Sequence, residues 1–210
     1  MKLALTVFKR EFILPVAAFL VAYSLRYHFL VTYRFPLMIH EQDAVGYMDV
    51  AKTFLQWQLP GVSGRPPGYP IVIALFALLP VGLEYAARLA SISMDALIVF
   101  PLFFISRIYL SRVGSFAVCL LWAFFSFSLI FSTSPLSQSS YLFYLLSGIA
   151  FLHLGLEMKR LGAFVGAGAF FALSYLARPE GAVGFGCGLF LCLIAIAGKG
   201  GANKKNLLIP

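Results

Sequence analysis

Charge is what this 210-residue chain has least of: 11% of its residues are charged and only eight are acidic. A soluble domain carries about 25% charged and 45–50% apolar residues. Here the apolar share is 61%, and the mean hydropathy is +0.91. A water-soluble domain of this size buries only about two-thirds of its chain surface, too little to hide so much apolar side chain. Disorder and a single aqueous core are both excluded. Cysteine is scarce as well. Cys119, Cys187 and Cys192 lie in apolar runs without ligand spacing, so they read as small packing residues and a disulfide scaffold is excluded. No Walker loop, dinucleotide-binding glycine fingerprint or Cys-x-x-Cys pair occurs. No small-residue cleavage site follows the first apolar run, which contains Arg26 and His28 and is read as a retained span.

Apolar runs are what the chain does have. They fall at about 12–33, 66–82, 85–106, 114–131, 138–156, 162–177 and 181–197. Most approach the roughly 20 residues that a bilayer-spanning helix needs. The second is different. Its apolar part, Pro70 to Leu83, reaches only about 21 Å as a helix, against a hydrocarbon core of about 30 Å. It also carries Pro66, Pro67, Pro70 and Pro80, which interrupt regular helix.

Cations decide whether that segment crosses. If it does not, and the N-terminus is cytoplasmic, the inner side holds Lys2, Lys9, Arg10, Arg107, Arg112, Lys159, Arg160, Lys199, Lys204 and Lys205. Those are ten of the 16 Lys and Arg. The outer side holds Arg26, Arg34, Lys52, Arg65, Arg88 and Arg178. A crossing would flip every later loop, against the positive-inside bias. The net charge of +8 is therefore read as topology, not as a nucleic-acid partner. The expected fold is an all-α polytopic membrane protein, one transmembrane domain over 1–210. About six transmembrane helices span at 12–33, 85–106, 114–131, 138–156, 162–177 and 181–197, with both termini cytoplasmic. Between the first and second spans lies an outer loop, 34–84, with an amphipathic helix at 43–57 and a re-entrant or interfacial segment at 66–82.

In that loop Asp43 precedes Ala44, Tyr47, Met48, Ala51 and Leu55 at helical spacing, with Asp49, Lys52 and Gln56 on another face. Trp57 just beyond suits a headgroup-level anchor. Helix and re-entrant segment together would roof a cavity, with Asp43 facing it. A plain helix cap is an equal reading of Asp43 from spacing alone. Glu41, Asp43, Asp49, Glu84 and Glu180 all fall outside, against Glu11 and Glu157 inside. Acids contribute little to topology, so an outer-face site is one explanation of that asymmetry.

Asp43-Ala44-Val45-Gly46-Tyr47-Met48-Asp49-Val50-Ala51, followed by Gly64-Arg65-Pro66-Pro67-Gly68-Tyr69-Pro70, resembles the first outer loop of the GT-C membrane glycosyltransferases. The nearest types are the protein O-mannosyltransferases and lipid A aminoarabinose transferases (glycosyltransferase family 39-like). Later elements follow the same order: Glu84-x-x-x-Arg88-Leu89 before a span, a basic turn at Arg107 and Arg112, and Ala177-Arg178-Pro179-Glu180-Gly181 at an outer helix end. The resemblance covers nearly all 210 residues and suggests the N-terminal half of such an enzyme. It implies a glycosyltransferase in the plasma membrane of a bacterium or archaeon, moving a hexosyl or pentosyl group from a polyprenyl-phosphate donor on the outer face.

Carried over residue by residue, the resemblance makes Asp43 the catalytic acid of the first loop, placed to accept the acceptor's proton. Arg65 matches the basic position for donor phosphate, and Arg178 is a second candidate for it, since guanidinium suits phosphate. Snorkelling or headgroup contact is the plainer reading of both arginines, slightly ahead for Arg178. Tyr47, Tyr69, Gln138 and Glu180 are the pocket candidates. Relatives often carry an acid in the turn Ser132–Ser140, where this chain has Gln138, an amide that can orient a substrate but not act as a base.

Other polar residues have plain readings. Asp95, inside a span, marks either a function or a hydrogen bond to a neighbouring helix. His40 with Glu41 and Asp43 lacks a second histidine at ligand spacing, leaving a divalent metal an open question. His28 and His153 read as span-end residues. Gly162/Gly166 and Gly184/Gly188 read as helix-packing faces. Two other functions compete with the enzyme. One is a catalytically incomplete module that binds lipid phosphate, or a second chain supplying further spans. The other is a small transporter, disfavoured because the polar residues cluster outside the midplane.

Overall fold

The computed structural model describes residues 2–33, 42–59 and 64–205, with side chains for 12–33, 43–59 and 64–194. Every regular element among them is α-helical. The first, α1 (Lys2–Thr32), is long and apolar enough to cross a bilayer over Phe12–Thr32. Next come α2 (Gln42–Leu55) and the nine-residue α3 (Gly68–Phe76). The helices α4 (Leu83–Leu97) and α5 (Val99–Ser106) make one 24-residue crossing unit, interrupted at Ile98. Pro101 accounts for that interruption, because it has no N–H to give Leu97 and its ring crowds that carbonyl.

After a turn, the Ser111 hydroxyl caps α6 (Arg112–Phe124) by accepting from the Gly114 N–H at 3.2 Å. The chain then bends by 55° at Phe125 into α7 (Ser126–Ser132). The expected continuous span at 114–131 is thus two helices. A third full-length apolar helix, α8 (Gln138–Met158), ends at Lys159, whose left-handed backbone (φ 52°) stops it. Two shorter apolar helices finish the fold: α9 (Leu161–Ala177) and the Gly181–Ile194 part of α10 (Gly181–Lys205). Three helices therefore reach crossing length among the described residues, four if the bent pair counts as one. Two of the six expected spans are shorter than the thickness argument asks.

Packing divides the bundle into two halves along α4 and α5. Ala18 and Ala22 of α1 meet Ala96, Val99 and Phe103 of α4 and α5, and Cys119 and Ala123 of α6. Small residues let these helices approach closely, the usual basis of helix association in lipid. At the other end Tyr47, Met48 and Ala51 of α2 pack on Tyr69, Val72 and Ile73 of α3, and on Ala87, Ala90 and Met94 of α4. Asp43, Asp49 and Lys52 are exposed on the other side of α2, which ends at Leu55. Trp57 follows in left-handed backbone (φ 58°) and is 97% exposed.

Three expectations need correction. Arg26, counted above with the outer side, is fully buried on α1, and its guanidinium is paired with Asp95 of α4. Two lone charges in separate spans thereby satisfy each other, which removes Arg26 from the outer tally. Cys119 is buried in the core and Cys192 packs against Leu152, Ala167 and Phe171, but Cys187 is exposed. Gly166, Gly184 and Gly188 lie against Phe151, Leu145 and Phe171, whereas Gly162 faces open space.

Candidate functional site

The α2 sequence places Asp43, Gly46 and Tyr47 three and four residues apart, hence on one helix face. Asp43 lies in the first turn, where an acid complements the exposed N–H groups. All three residues meet the same partner. The Arg65 guanidinium is ion-paired to Asp43 Oδ1 at 2.6 Å and lies 5.7 Å from the Tyr47 ring centroid. At Gly46 a methyl group would come within 2.9 Å of Arg65 Nε, so a larger residue there would make the Arg65 side chain shift. Sequence separation hid this contact of Gly46. Its offset from Asp43 and Tyr47 was the available signal.

Behind this ion pair stands an aromatic wall. Tyr47 meets Tyr69 edge-on at 5.3 Å and shares a 3.0 Å hydrogen bond with the Ser137 hydroxyl. Tyr69 is fully buried and donates to the Ala87 carbonyl at 3.1 Å, with Ser91 Oγ 2.6 Å away. Both hydroxyls are thus engaged in fixing α2, α3 and α4 relative to the turn before α8. That turn is tied down a second time. Arg88, 6% exposed, donates to Glu84 Oε1 at 3.0 and 2.7 Å and to the Thr133 carbonyl at 2.9 Å. Gln138, the residue after Ser137, is half-buried, and its Oε1 atom is buried without a hydrogen-bond partner.

The remaining two predicted residues stand beside this group. At Gly68 a methyl group would lie 2.7 Å from the Ala177 N and the Leu176 carbonyl oxygen. Glycine therefore seats the start of α3 on the end of α9, one residue before Arg178. Arg178 itself pairs with Glu180 at 3.4 Å in an exposed turn. The Glu180 carboxylate is held below its usual range by its own backbone N–H, with Arg178 adding to the effect. The structure therefore joins Asp43, Arg65, Tyr47 and Tyr69 directly, sets Gln138 next to Tyr47's partner, and gives Arg178 to Glu180.

Sequence reading also missed Ser137 and the buried polar cluster beneath. Arg26 donates to Asp95, to Ser128 Oγ at 2.7 Å, and to the carbonyls of Trp122 and Ala123 at 3.4 Å each. Ser128 donates to Asp95 Oδ2 at 2.7 Å, and Ser139 to Oδ1 at 3.4 Å. For metals, no group of three His, Cys, Asp or Glu converges among the described residues. His40 and Glu41 lie outside them.

Three or four helices long and apolar enough to cross a bilayer, among the described residues, make this an integral membrane protein. Residues 64–208 match the family model described as dolichyl-phosphate-mannose-protein mannosyltransferase. The chain belongs to that family, and so is a membrane glycosyltransferase of the GT-C type. The match contains Arg65, Tyr69, Gln138, Arg178 and Glu180, while Asp43 and Tyr47 precede it. The chain matches no curated protein and no solved structure.

Proposed function

We propose that this protein transfers a hexosyl or pentosyl group from a polyprenyl-phosphate donor to an acceptor on the extracytoplasmic face, with Asp43 as base and Arg65 on the donor phosphate. The observation that carries this reading is the Asp43–Arg65 ion pair, which sets a carboxylate and a guanidinium 2.6 Å apart at a half-exposed site. Transfer needs both. The carboxylate takes the proton of the acceptor's O–H or N–H as that atom attacks the anomeric carbon. The sugar's bond to phosphate breaks, its electron pair leaves on the phosphate oxygen, and a guanidinium stabilises that added charge. Tyr47 and Tyr69 supply a wall for the sugar, while Gln138 contributes an amide to orient it. Arg178, beside the start of α3, would help hold the phosphate.

In this reading the crossing units are α1, the α4–α5 pair, the α6–α7 pair, α8, α9 and the apolar part of α10. Both termini are cytoplasmic, α2 lies on the outer leaflet, and α3 is the interfacial piece. The basic turns around Arg107, Arg112, Lys159 and Arg160 support that orientation.

Purified chain in liposomes, given polyprenyl-phosphate sugars together with a cell-envelope extract as source of acceptor, is expected to release polyprenyl phosphate and to put the sugar on a component of that extract. Absence of release from any lipid-linked sugar would overturn the reading. Arg65→Gln is expected to raise the donor KM roughly 10–100-fold, the loss of one charge-assisted contact. An unchanged KM would remove Arg65 from the phosphate site.

Orientation has its own test. In a cysteine-free background, Gly64→Cys should react with an impermeant maleimide on intact cells. Ser111→Cys should react only after permeabilisation, and outside labelling at 111 would overturn the topology. Ser139 is unsuited to labelling, because it is buried against Asp95.

A further inference from the structure

A second concave site lies away from Asp43. Phe12 of α1, Phe104 of α5 and Phe151 of α8 wall a cavity of about 580 Å³. The Phe12 and Phe104 rings meet at 5.4 Å, and Phe151 stacks on Phe170, also at 5.4 Å. Ala150 on α8 is the smallest side chain of the lining. The volume falls in the roughly 300–1,000 Å³ range of small-molecule sites. His153 lines the cavity too. It stands about 22 Å along α8 from Gln138 at the helical rise per residue. The cavity is therefore separate from the proposed transfer site.

The charged groups of the lining are already engaged within the protein. Arg107 donates to the Leu110 carbonyl at 2.7 Å, and Glu157 Oε1 lies 3.2 Å from His153 Nε2. They are also of opposite sign, so an anionic head is repelled by Glu157 and a cationic one by Arg107. His153 is different. In the neutral ring the Nε2 proton faces the Glu157 carboxylate, which leaves Nδ1 as an acceptor. Among the described residues Glu157 is the one polar partner of that ring. A lone acceptor in an apolar cavity suits a ligand that brings one O–H and no charge. The rest of the lining is aliphatic or aromatic, which fits a hydrocarbon tail.

We infer that this cavity binds an uncharged single-chain lipid alcohol, its tail between Phe12, Phe104 and Phe151 and its hydroxyl donating to His153 Nδ1. Bilayer hydrocarbon solvates the tail as well as these rings do, so burial alone gives no preference inside a membrane. The hydroxyl supplies the preference. In hydrocarbon an O–H has no partner, and at Nδ1 it has one. A methyl ether of the same length fills the slot without donating, so the donor proton is the discriminating property.

The test is photolabelling of the full chain in phosphatidylcholine liposomes at about pH 8, where an ordinary imidazole is neutral. The probes are hexadecanol carrying a diazirine in its tail, its methyl ether, and the corresponding fatty acid. The alcohol should label the peptides that contain 104–108 and 150–157. It should do so about fivefold more than the ether, the worth of one neutral hydrogen bond. Excess unlabelled hexadecanol should displace it. His153→Leu should bring the alcohol down to the level of the ether, whereas His153→Gln, which keeps an acceptor, should retain most of the difference. Ala150→Phe, which narrows the slot, should abolish the displaceable labelling of those peptides. If its thermal unfolding midpoint falls, the His153→Leu and His153→Gln pair decides alone. Equal labelling by alcohol and ether, no displacement by unlabelled alcohol, a preference for the fatty acid, or labelling indifferent to His153→Leu would each overturn the proposal. No sugar donor is present, so the result stands whether or not sugar transfer is detected.

Discussion

Asp43→Asn is expected to lower sugar transfer by roughly 10²–10⁴-fold, the usual worth of a positioned general base, while leaving the fold intact. Position 43 is on the exposed face of α2, and its side chain is 56% accessible. Exposed ion pairs contribute about 0–1 kcal/mol to stability, so the substitution costs the fold little. Turnover is the quantity that should respond. In the ligand-free site Arg65 engages one oxygen of the carboxylate, which makes it a weaker base toward the acceptor's proton. The donor resolves this conflict. A phosphate attracts the guanidinium more strongly than a single carboxylate does, and exposure makes the exchange inexpensive. On the proposed function, Arg65 would then move to phosphate and leave Asp43 the stronger base when a donor is in place.

Two consequences can be measured. Asp43→Asn should bind donor at least as well as wild type, since Arg65 no longer has a competing partner. Arg65→Gln should weaken donor binding while retaining measurable transfer at saturating donor. Equal turnover in wild type and Asp43→Asn would end the catalytic role of Asp43. Weaker donor binding in Asp43→Asn would contradict the exchange.

How far this site could be read from the chain depended on the range of each interaction. The α2 helix is legible because its apolar face repeats with helical period, and Asp43 at its start follows from ordinary first-turn preference. The pairing of Asp43 with Arg65 spans a loop, so only the two motifs were visible and not their contact. The role of Ser137 had no local signal, since one serine among the several at 132–140 bonds Tyr47 only because the turn is folded back by Arg88. The bend at Phe125 was equally hidden. Between Arg112 and Ser132 there is no proline, and the one glycine, Gly114, is near the start. The break is explained from outside the segment, by the Arg26 guanidinium engaging the carbonyls of Trp122 and Ala123. A side chain entering a helix ladder is a known cause of kinks, and it leaves no trace in the kinked sequence itself. Arg26 and Asp95 did carry a signal that charge counting overlooked. Each is a lone charge within an apolar run, and the cost of an unpaired charge in lipid argues that the two should meet.

That buried pair should give the largest stability effect in the molecule. Asp95→Leu is expected to destabilise the fold by about 3–5 kcal/mol, because it strands a fully buried guanidinium. Arg26→Met should do comparable damage by leaving Asp95 with only Ser128 and Ser139 as donors. The double variant Arg26→Met with Asp95→Leu is expected to recover most of the loss, since two apolar side chains replace a buried pair at little net cost. Unfolding in mixed detergent micelles measures all three. Additive losses in the double variant would show that the residues do not act as a pair. Recovery of stability need not restore transfer. Arg26 is also what engages the α6 carbonyls at the bend, and α7 leads directly into the turn whose Ser137 holds Tyr47. Without Arg26 the bend can relax and carry Ser137, Gln138 and Tyr47 out of register with Asp43. Misplacement by about 1 Å can cost up to roughly 100-fold in rate, so the double variant should be stable yet slow, with kcat reduced more than donor KM is raised. Full activity in a stable double variant would confine the pair to stability and separate the bend from the proposed transfer site.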